Sequence, residues 1–402
     1  MNTRYKESLR RETEEGKEAE EMYKIMTAGP TQVRENVMQA RALPFTNPDI
    51  DPAFFDFYKE TCGMLSKALH TEQEAFILGG EGILGLEAAC ASLTEPGDRI
   101  LVIDNGIFGK GFADFVKIYE GIPVLYTVDY HRPVDPDALK RYLEKDHAFK
   151  YATVVHCDTP SGVLNDVETI SRILDSYGIM TVADSVAGMF GEPLDLSKGK
   201  IDILCGGSQK ALSCPPGLTM IWVSERAFRS MESRKTPVRS FYASIPAIKN
   251  YYRDQWFPYT MPASDIRGLR QALDNFFADP DVYQRHARIA GAVRKSVRES
   301  GLQLYLEDGM SNTVTVIRVP DGITDKEILR GMAKEYGILI SGCFDVLAGK
   351  VVRIGHMGES CNREDVADTL SALQKVLEEK GIHLKCDMEQ SFLAAWKENA
   401  GE

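Results

Sequence analysis

Residues 151–184 read YATVVHCDTPSGVLNDVETISRILDSYGIMTVAD. An apolar, β-branched run (151–156) gives way to a turn of Asp, Thr, Pro, Ser and Gly. A helical stretch follows at 166–177, then a second apolar run at 179–184. Runs apolar on both faces, joined through a helix, are what parallel strands covered on both sides require. The same alternation extends outward in both directions. Strands are expected at 75–78, at 99–104 (RILVID), at 123–128, at 201–205 and at 218–223, the last with its direction left open. Helices are expected at 83–94, 109–120 and 135–146. Strands alternating with helices over about 150 residues predict an α/β domain with a mostly parallel sheet, here of seven strands. Beyond a long helical region at 279–300 comes a smaller C-terminal α/β unit, with strands at 313–319 and 350–354 and helices at 324–336 and 363–380. The expected division is a charged arm at 1–24, a large domain at 25–275 and a small domain at 276–402.

A chain of 402 residues suits two domains and buries enough surface to fold without disulfides. Hydrophobic residues at 44% and charged residues at 26% exclude a mostly disordered chain. A net charge of −12 argues against a broad nucleic-acid-binding surface and still allows a local pocket for a small anion. The eight cysteines form no C-x-x-C pair and read as buried small residues in a reducing compartment. The seven histidines lack zinc-ligand spacing, so no metal is expected. Residues 4–24 are dense in Glu, Lys and Arg, unlike an export signal, and no run approaches the ~18 apolar residues of a membrane span. A cytoplasmic location is expected.

In an open α/β sheet, ligands sit beyond the carboxyl ends of the strands. Those ends carry Gly79-Gly80-Glu81-Gly82, Asn105-Gly106-Ile107-Phe108, Cys157-Asp158-Thr159-Pro160-Ser161-Gly162, Asp184-Ser185-Val186 and Gly206-Gly207-Ser208-Gln209-Lys210. Acids, an aromatic, hydroxyls, an amide and a lysine gathered on one edge describe a cofactor site. Lys210 stands among small and apolar residues, where desolvation lowers an amine pKa and frees its lone pair for a Schiff base with an aldehyde. Asp184, ending a buried strand, is suited to keep a pyridinium nitrogen protonated. A competing reading is a dinucleotide fingerprint, Gly80-Glu81-Gly82-Ile83-Leu84-Gly85, with Asp104 as the ribose-binding acid of a nicotinamide oxidoreductase. Glu81 would then set a carboxylate beside a pyrophosphate, which is unfavourable unless it is neutralised.

Asn105-Gly106-Ile107-Phe108-Gly109, the 158–165 turn, Asp184-Ser185-Val186-Ala187, Ser208-Gln209-Lys210-Ala211-Leu212 and Pro215-Pro216-Gly217 resemble the class V, fold-type I aminotransferases of the alanine–glyoxylate and serine–pyruvate group. The resemblance runs from Thr27-Ala28-Gly29-Pro30 to 353–358. It implies pyridoxal 5′-phosphate held by Lys210 as the Schiff-base lysine and proton shuttle, with Asp184 on the ring nitrogen and Phe108 stacked on the ring. Thr159 or Ser161 would bond the ring hydroxyl. Glu81, Gly82, Ser208 and Gln209 would lie at the phosphate end, and Thr260 would reach the phosphate of a partner subunit in a homodimer or dimer of dimers. Arg353 would pair with the carboxylate of the 2-oxo acid, where a planar fork gives bidentate recognition. Within this family, Gly80-Glu81, the 108–112 run and 353–358 most resemble the pyridoxamine–pyruvate branch. That branch uses unphosphorylated pyridoxamine and pyruvate to give pyridoxal and alanine. A carboxylate at Glu81 repels phosphate and can accept a hydrogen bond from a free hydroxymethyl group. Phe108 and Phe344 stand where that branch carries a tyrosine and a second arginine, and Ser208-Gln209 resemble the phosphate-binding members.

Overall fold

The computed structural model describes residues 23–44 and 46–398. The charged arm lies outside them except for its last two residues. Seven strands form the main sheet: β1 (Glu74–Gly79), β2 (Arg99–Asp104), β3 (Ile122–Thr127), β4 (Tyr151–Val155), β5 (Met180–Asp184), β6 (Ile203–Gly207) and β7 (Leu218–Val223). Their order is β1-β7-β6-β5-β4-β2-β3, and only β7 runs against its neighbours. The expected fold-type I architecture is present, with β2 and β7 at the bounds read from the sequence.

The burial pattern follows from position in the sheet. β4, β5 and β6 are buried at every residue, because helices cover both faces. β3 lies at one edge and leaves Ile122 and Leu125 exposed. Helices α1 (Pro52–Ala68), α2 (Ile83–Leu93), α3 (Ile107–Ile118) and α4 (Val167–Ser176) supply the cover. Asp51 caps α1 by accepting from the Ala53 N–H at 3.0 Å, with Pro52 at the first helical position.

The chain leaves β2 for the edge strand β3 and returns to the other side of β2 with β4, so its direction of travel reverses between β2 and β4. At such a switch point the turns diverge and open a crevice. Register sets the crevice floor, with Val155 opposite Asp184 and Asp184 opposite Cys205.

Helix α5 (Ala263–Phe277) runs through the boundary expected near 275, and α6 (Val282–Glu299) begins after a short turn. A second core then forms from α6, the antiparallel pair β8 (Val314–Arg318) and β9 (Val351–Gly355), α7 (Asp325–Tyr336), α8 (Arg363–Glu379) and α9 (Met388–Glu398). Met26 belongs to this second core although it lies near the start of the chain. Lys24–Ile25 pair in parallel with Ile338–Leu339, which brings Thr27–Pro30 back over the sheet.

Candidate active site

Lys210 sits on a tight turn after β6, closed by the Ser213 N–H donating to the Lys210 carbonyl at 2.8 Å. Its Nζ donates to the Ala28 carbonyl at 2.5 Å. Gly29 makes this approach feasible. It lies in the left-handed region at φ 105°, and a Cβ there would come within 2.3 Å of Lys210 Nζ. Burial, with Arg353 nearby, pulls the lysine pKa below its ordinary value, opposed by Cys157, Glu81 and Asp184. The neutral amine is thereby favoured.

Asp184 ends β5 at 5% exposure, and its Oδ1 accepts from the Val186 N–H at 2.9 Å. Burial pushes its carboxyl up to about 7 against that hydrogen bond, with Asp158 adding to the rise and Lys210 opposing it. Asp158 is wholly buried at the switch point. It accepts from the Phe108 N–H at 3.1 Å, from the Ser161 N–H at 3.2 Å and from the Ser161 hydroxyl at 2.7 Å. Lys210, Asp184, Phe108, Thr159 and Glu81 line one small cavity, with Val186 and Ala187 on its wall. Phe108 meets Phe344 edge to face, with ring centroids 6.0 Å apart.

Glu81 and Gly82 stand at the N-terminus of α2. The Glu81 carboxylate accepts from the Ile83 N–H at 3.0 Å and from the Gln209 side-chain amide. Leu84 and Gly85 donate their N–H groups to the carbonyls of Glu81 and Gly82. A helix N-terminus attracts an anion, and here the chain supplies its own.

Arg353 lies on β9, 8% exposed, with its backbone bonded in both directions to Ser341. Its Nε donates to the Gly342 carbonyl at 2.8 Å. Among the described residues its terminal nitrogens have no hydrogen-bond partner and no ion-pair partner. Burial lowers its pKa, with Cys343 and Asp158 acting in the opposite direction.

Of the eleven residues anticipated from sequence, Lys210, Asp184, Glu81, Phe108 and Thr159 line the cavity, Gly82, Gln209 and Arg353 do not line it, and three are engaged elsewhere. The Ser161 hydroxyl is turned to Asp158, and that of Ser208 donates to the Pro215 carbonyl at 2.7 Å. Thr260 is exposed, bonds Asp49 at 2.7 Å and does not line the cavity of its own chain. Two contributors were not assigned a role beforehand. Asp158 carries a legible signal, an acid three residues before a serine in a Pro-Ser-Gly turn. The Ala28 carbonyl carries none, since any residue has one.

The dinucleotide alternative fails here. Asp104 is buried and bonded by the hydroxyls of Thr127 and Tyr130, leaving no acid for a ribose. Glu81 occupies the helix terminus that a pyrophosphate would need. Among the described residues no cluster of His, Cys, Asp and Glu could hold a metal ion, and no helix is long and apolar enough to cross a membrane.

A family model for class-V aminotransferases matches residues 69–341. An uncharacterised aminotransferase of Methanocaldococcus jannaschii is 33% identical over 365 residues, covering 90% of this chain and 94% of that protein. The pyridoxamine–pyruvate transaminase of Mesorhizobium japonicum is 34% identical over 364 residues, covering 89% and 92%. In three dimensions the chain is similar to the ureidoglycine–glyoxylate aminotransferase of Bacillus subtilis, with a TM-score of 0.90 at 27% identity over 93% of this chain and 98% of that one.

Two predictions follow from this geometry. In the cofactor-free protein Asp184 titrates near 7 folded and near 3.8 unfolded, so its contribution to stability is full below about pH 4 and lost as pH rises through about 7. Thermal unfolding should show Asp184→Asn gaining on the wild type from about pH 4 to pH 7. A difference constant across that range contradicts the burial argument. Gly29→Ala should move the lysine more than it unfolds the chain, because the atoms in the way belong to a flexible side chain. The left-handed backbone adds ~1–2 kcal/mol of strain. Turnover should therefore fall by more than urea-unfolding stability accounts for.

Proposed function

Since the chain belongs to the class-V aminotransferases, we propose that it moves an amino group to a small 2-oxo acid of the pyruvate or glyoxylate type, using pyridoxal chemistry. The observation that carries the substrate half of this reading is Arg353, a buried cation whose terminal nitrogens have no partner among the described residues. A buried charge without a counterion is unfavourable. A carboxylate entering the crevice supplies that counterion in bidentate form.

The crevice residues suit a pyridoxal ring. Phe108 offers a face for the ring, Asp184 an acid for its nitrogen, Thr159 a hydroxyl for its ring oxygen and Lys210 an amine for its aldehyde. Such a ring, once bound, supplies an electron sink for charge developing at the amino-acid Cα. The protein's own part is proton handling and orientation. Lys210, with its pKa pulled down, can accept the Cα proton at Nζ and return it. Asp184 would give up its proton to the ring nitrogen and set its carboxylate against the resulting cation, in a site where burial keeps water from competing. Arg353 would fix the oxo acid by its carboxylate.

On this reading the amino donor is pyridoxamine and the acceptor pyruvate, giving pyridoxal and alanine, because Glu81 already occupies the helix terminus that a phosphate would use. The alternative is a phosphate-bound enzyme of the alanine–glyoxylate or serine–pyruvate type, favoured by the presence of Gln209. The exposed aromatics Phe241, Tyr242 and Trp256 flank the segment that bears Thr260, which suits a face pairing with a second copy.

Two assays separate these readings. The purified enzyme should convert pyridoxamine and pyruvate to pyridoxal and alanine, and the vitamer released by acid should carry no phosphate. Bound pyridoxal phosphate with alanine–glyoxylate turnover selects the alternative. Lys210→Ala should yield no borohydride-fixed pyridoxyl adduct and no transamination while keeping the wild-type circular dichroism; ordinary turnover in this variant removes Lys210 from the chemistry. Arg353→Lys loses the fork and should raise the Michaelis constant for the oxo acid by one to two decades, from charge-assisted bonds of ~1.5–3 kcal/mol each. An unchanged constant for both pyruvate and glyoxylate reassigns this arginine to structure.

A further inference from the structure

We propose that Glu192 is a positioning residue for the transfer. Through Ser311 and Asn312 it seats the β8–β9 pair against the main sheet, and so fixes where the Arg353 fork stands relative to the Lys210 amine. The inference rests on reading Arg353 as the site for the substrate carboxylate.

Glu192 lies in the connection between β5 and β6, is 2% exposed and does not line the cavity. A buried carboxylate needs donors. Those that reach Glu192 come from two consecutive residues just ahead of β8. Its Oε1 accepts from the Ser311 hydroxyl at 2.8 Å and from the Asn312 backbone N–H, and its Oε2 accepts from the Asn312 side-chain amide at 3.1 Å. Arg294 of α6 donates to the same two residues, to the Ser311 carbonyl at 3.0 Å and to Asn312 Oδ1 at 2.9 Å. Burial pushes the Glu192 carboxyl up, opposed by its bonds to Asn312 and Ser311 and by the charge of Arg294. The dipeptide is thus bonded to an anion from the main sheet and to a cation from the second core. The Asn312 amide has one orientation that satisfies both, nitrogen to Glu192 and oxygen to Arg294.

Asn312 and Thr313 extend this seat to the reacting groups. β8 begins two residues after Asn312, and its Val316 is paired with Arg353. The Asn312 carbonyl accepts at 3.2 Å from Nδ1 of His356, three residues beyond Arg353. Burial pushes the His356 pKa down to about 3, so the ring is neutral and its Nε2 accepts from the Thr315 hydroxyl at 2.8 Å. Thr313 Oγ1 lies 3.6 Å from Sγ of Cys157, which lines the cavity. A Cβ on Gly191 would come within 2.5 Å of Thr313 Cγ2 and 3.1 Å of the Cβ of Ala211, the residue after Lys210. The short segment that Glu192 holds therefore connects the strands of Arg353 with the cavity wall and the lysine turn.

The test exchanges the two partners. Glu192→Gln sets an amide nitrogen against that of Asn312, and turning Asn312 to relieve this withdraws its oxygen from Arg294. Asn312→Asp sets two carboxylates together. The double variant restores the match, because Gln at 192 donates to Asp at 312, whose other oxygen remains for Arg294. Michaelis constants are measured for pyruvate against saturating pyridoxamine, or for glyoxylate against saturating alanine if that is the reaction the wild type performs. Calorimetry on the cofactor-free proteins gives the dissociation constant of pyridoxine or its 5′-phosphate, whichever the wild type binds more tightly. Each single variant should raise the Michaelis constant for the oxo acid five- to thirtyfold and leave the ring dissociation constant within twofold. The double variant should return the Michaelis constant to within threefold of the wild type. An unchanged Michaelis constant in folded Glu192→Gln overturns the proposal, as does an equal loss of ring affinity or a double variant no better than the singles. If Glu192→Gln does not fold, as judged by circular dichroism, Asn312→Asp and the double variant carry the comparison, and a double variant that also fails to fold overturns it. Wild-type transfer with no effect at Glu192 leaves the proposed reaction standing. Absence of transfer to either oxo acid in the wild type counts against the reaction itself.

Discussion

An amine and a carboxyl are buried at the ends of neighbouring strands and held apart, and the rest of the crevice is arranged around that separation. Lys210 and Asp184 would lower each other's burial cost by pairing, yet no ion pair joins them among the described residues. Each is steadied by backbone instead, the amine by the Ala28 carbonyl and the carboxyl by the Val186 N–H. The result is a lysine whose pKa is pulled below its ordinary value and an aspartate pushed up to about 7, each shifted toward its neutral form by burial.

That arrangement ties the two cores together through one short stretch of chain. Met26 is packed in the second core, its N–H bonded to Leu339 and its carbonyl to the N–H of Gly355, the last residue of β9. Two residues later the Ala28 carbonyl holds Lys210, while the Ala28 N–H donates to Ser341 at 3.1 Å. Ser341 is also the backbone partner of Arg353. A Cβ on Gly355 would lie 2.0 Å from the Thr27 carbonyl, so the stretch is clamped against β9 at backbone distance. The Lys210 amine, proposed to handle the proton, and Arg353, proposed to receive the carboxylate, are thus referenced to the same few atoms. Displacing the second core would move both.

The sheet was legible because its signal is collective. Largely apolar runs such as 99–104 (RILVID) and 218–223 (LTMIWV) read as strands covered on both faces, and their ends are where a ligand is expected. Lys210, Asp184, Phe108 and Glu81 were found in this way. What sequence could not supply is the direction in which short polar side chains turn. Ser161 and Ser208 sit at positions suited to a ligand and spend their hydroxyls on Asp158 and on the Pro215 turn. One hydrogen bond decides each case, and no periodicity reports it. The fingerprint at 80–85 misled for the related reason that its glycines do mark a tight strand-to-helix turn, while the side chain within it has already filled the anion position. Helix α1 shows the opposite situation. Its buried Phe54, Phe55, Tyr58, Cys62 and Leu65 fall on one helical face, a readable pattern that the alternating strands upstaged.

The charges that remain after folding suit the crevice to the monoanion proposed as its substrate. The terminus of α2 is satisfied by Glu81, so it no longer draws an external anion. Asp158 is buried and fully bonded, and Asp184 gains little by ionising before a ring nitrogen arrives. Arg353 is left as the buried cation whose fork lacks partners among the described residues, its charge felt by Lys210 and balanced only at a distance by Asp158. A carboxylate bound there removes a positive field from beside Lys210. The amine then becomes a stronger base once the oxo acid or amino acid is in place, because the repulsion that lowered its pKa has been screened. On the proposed reading, substrate recognition and base strength would both depend on the same arginine.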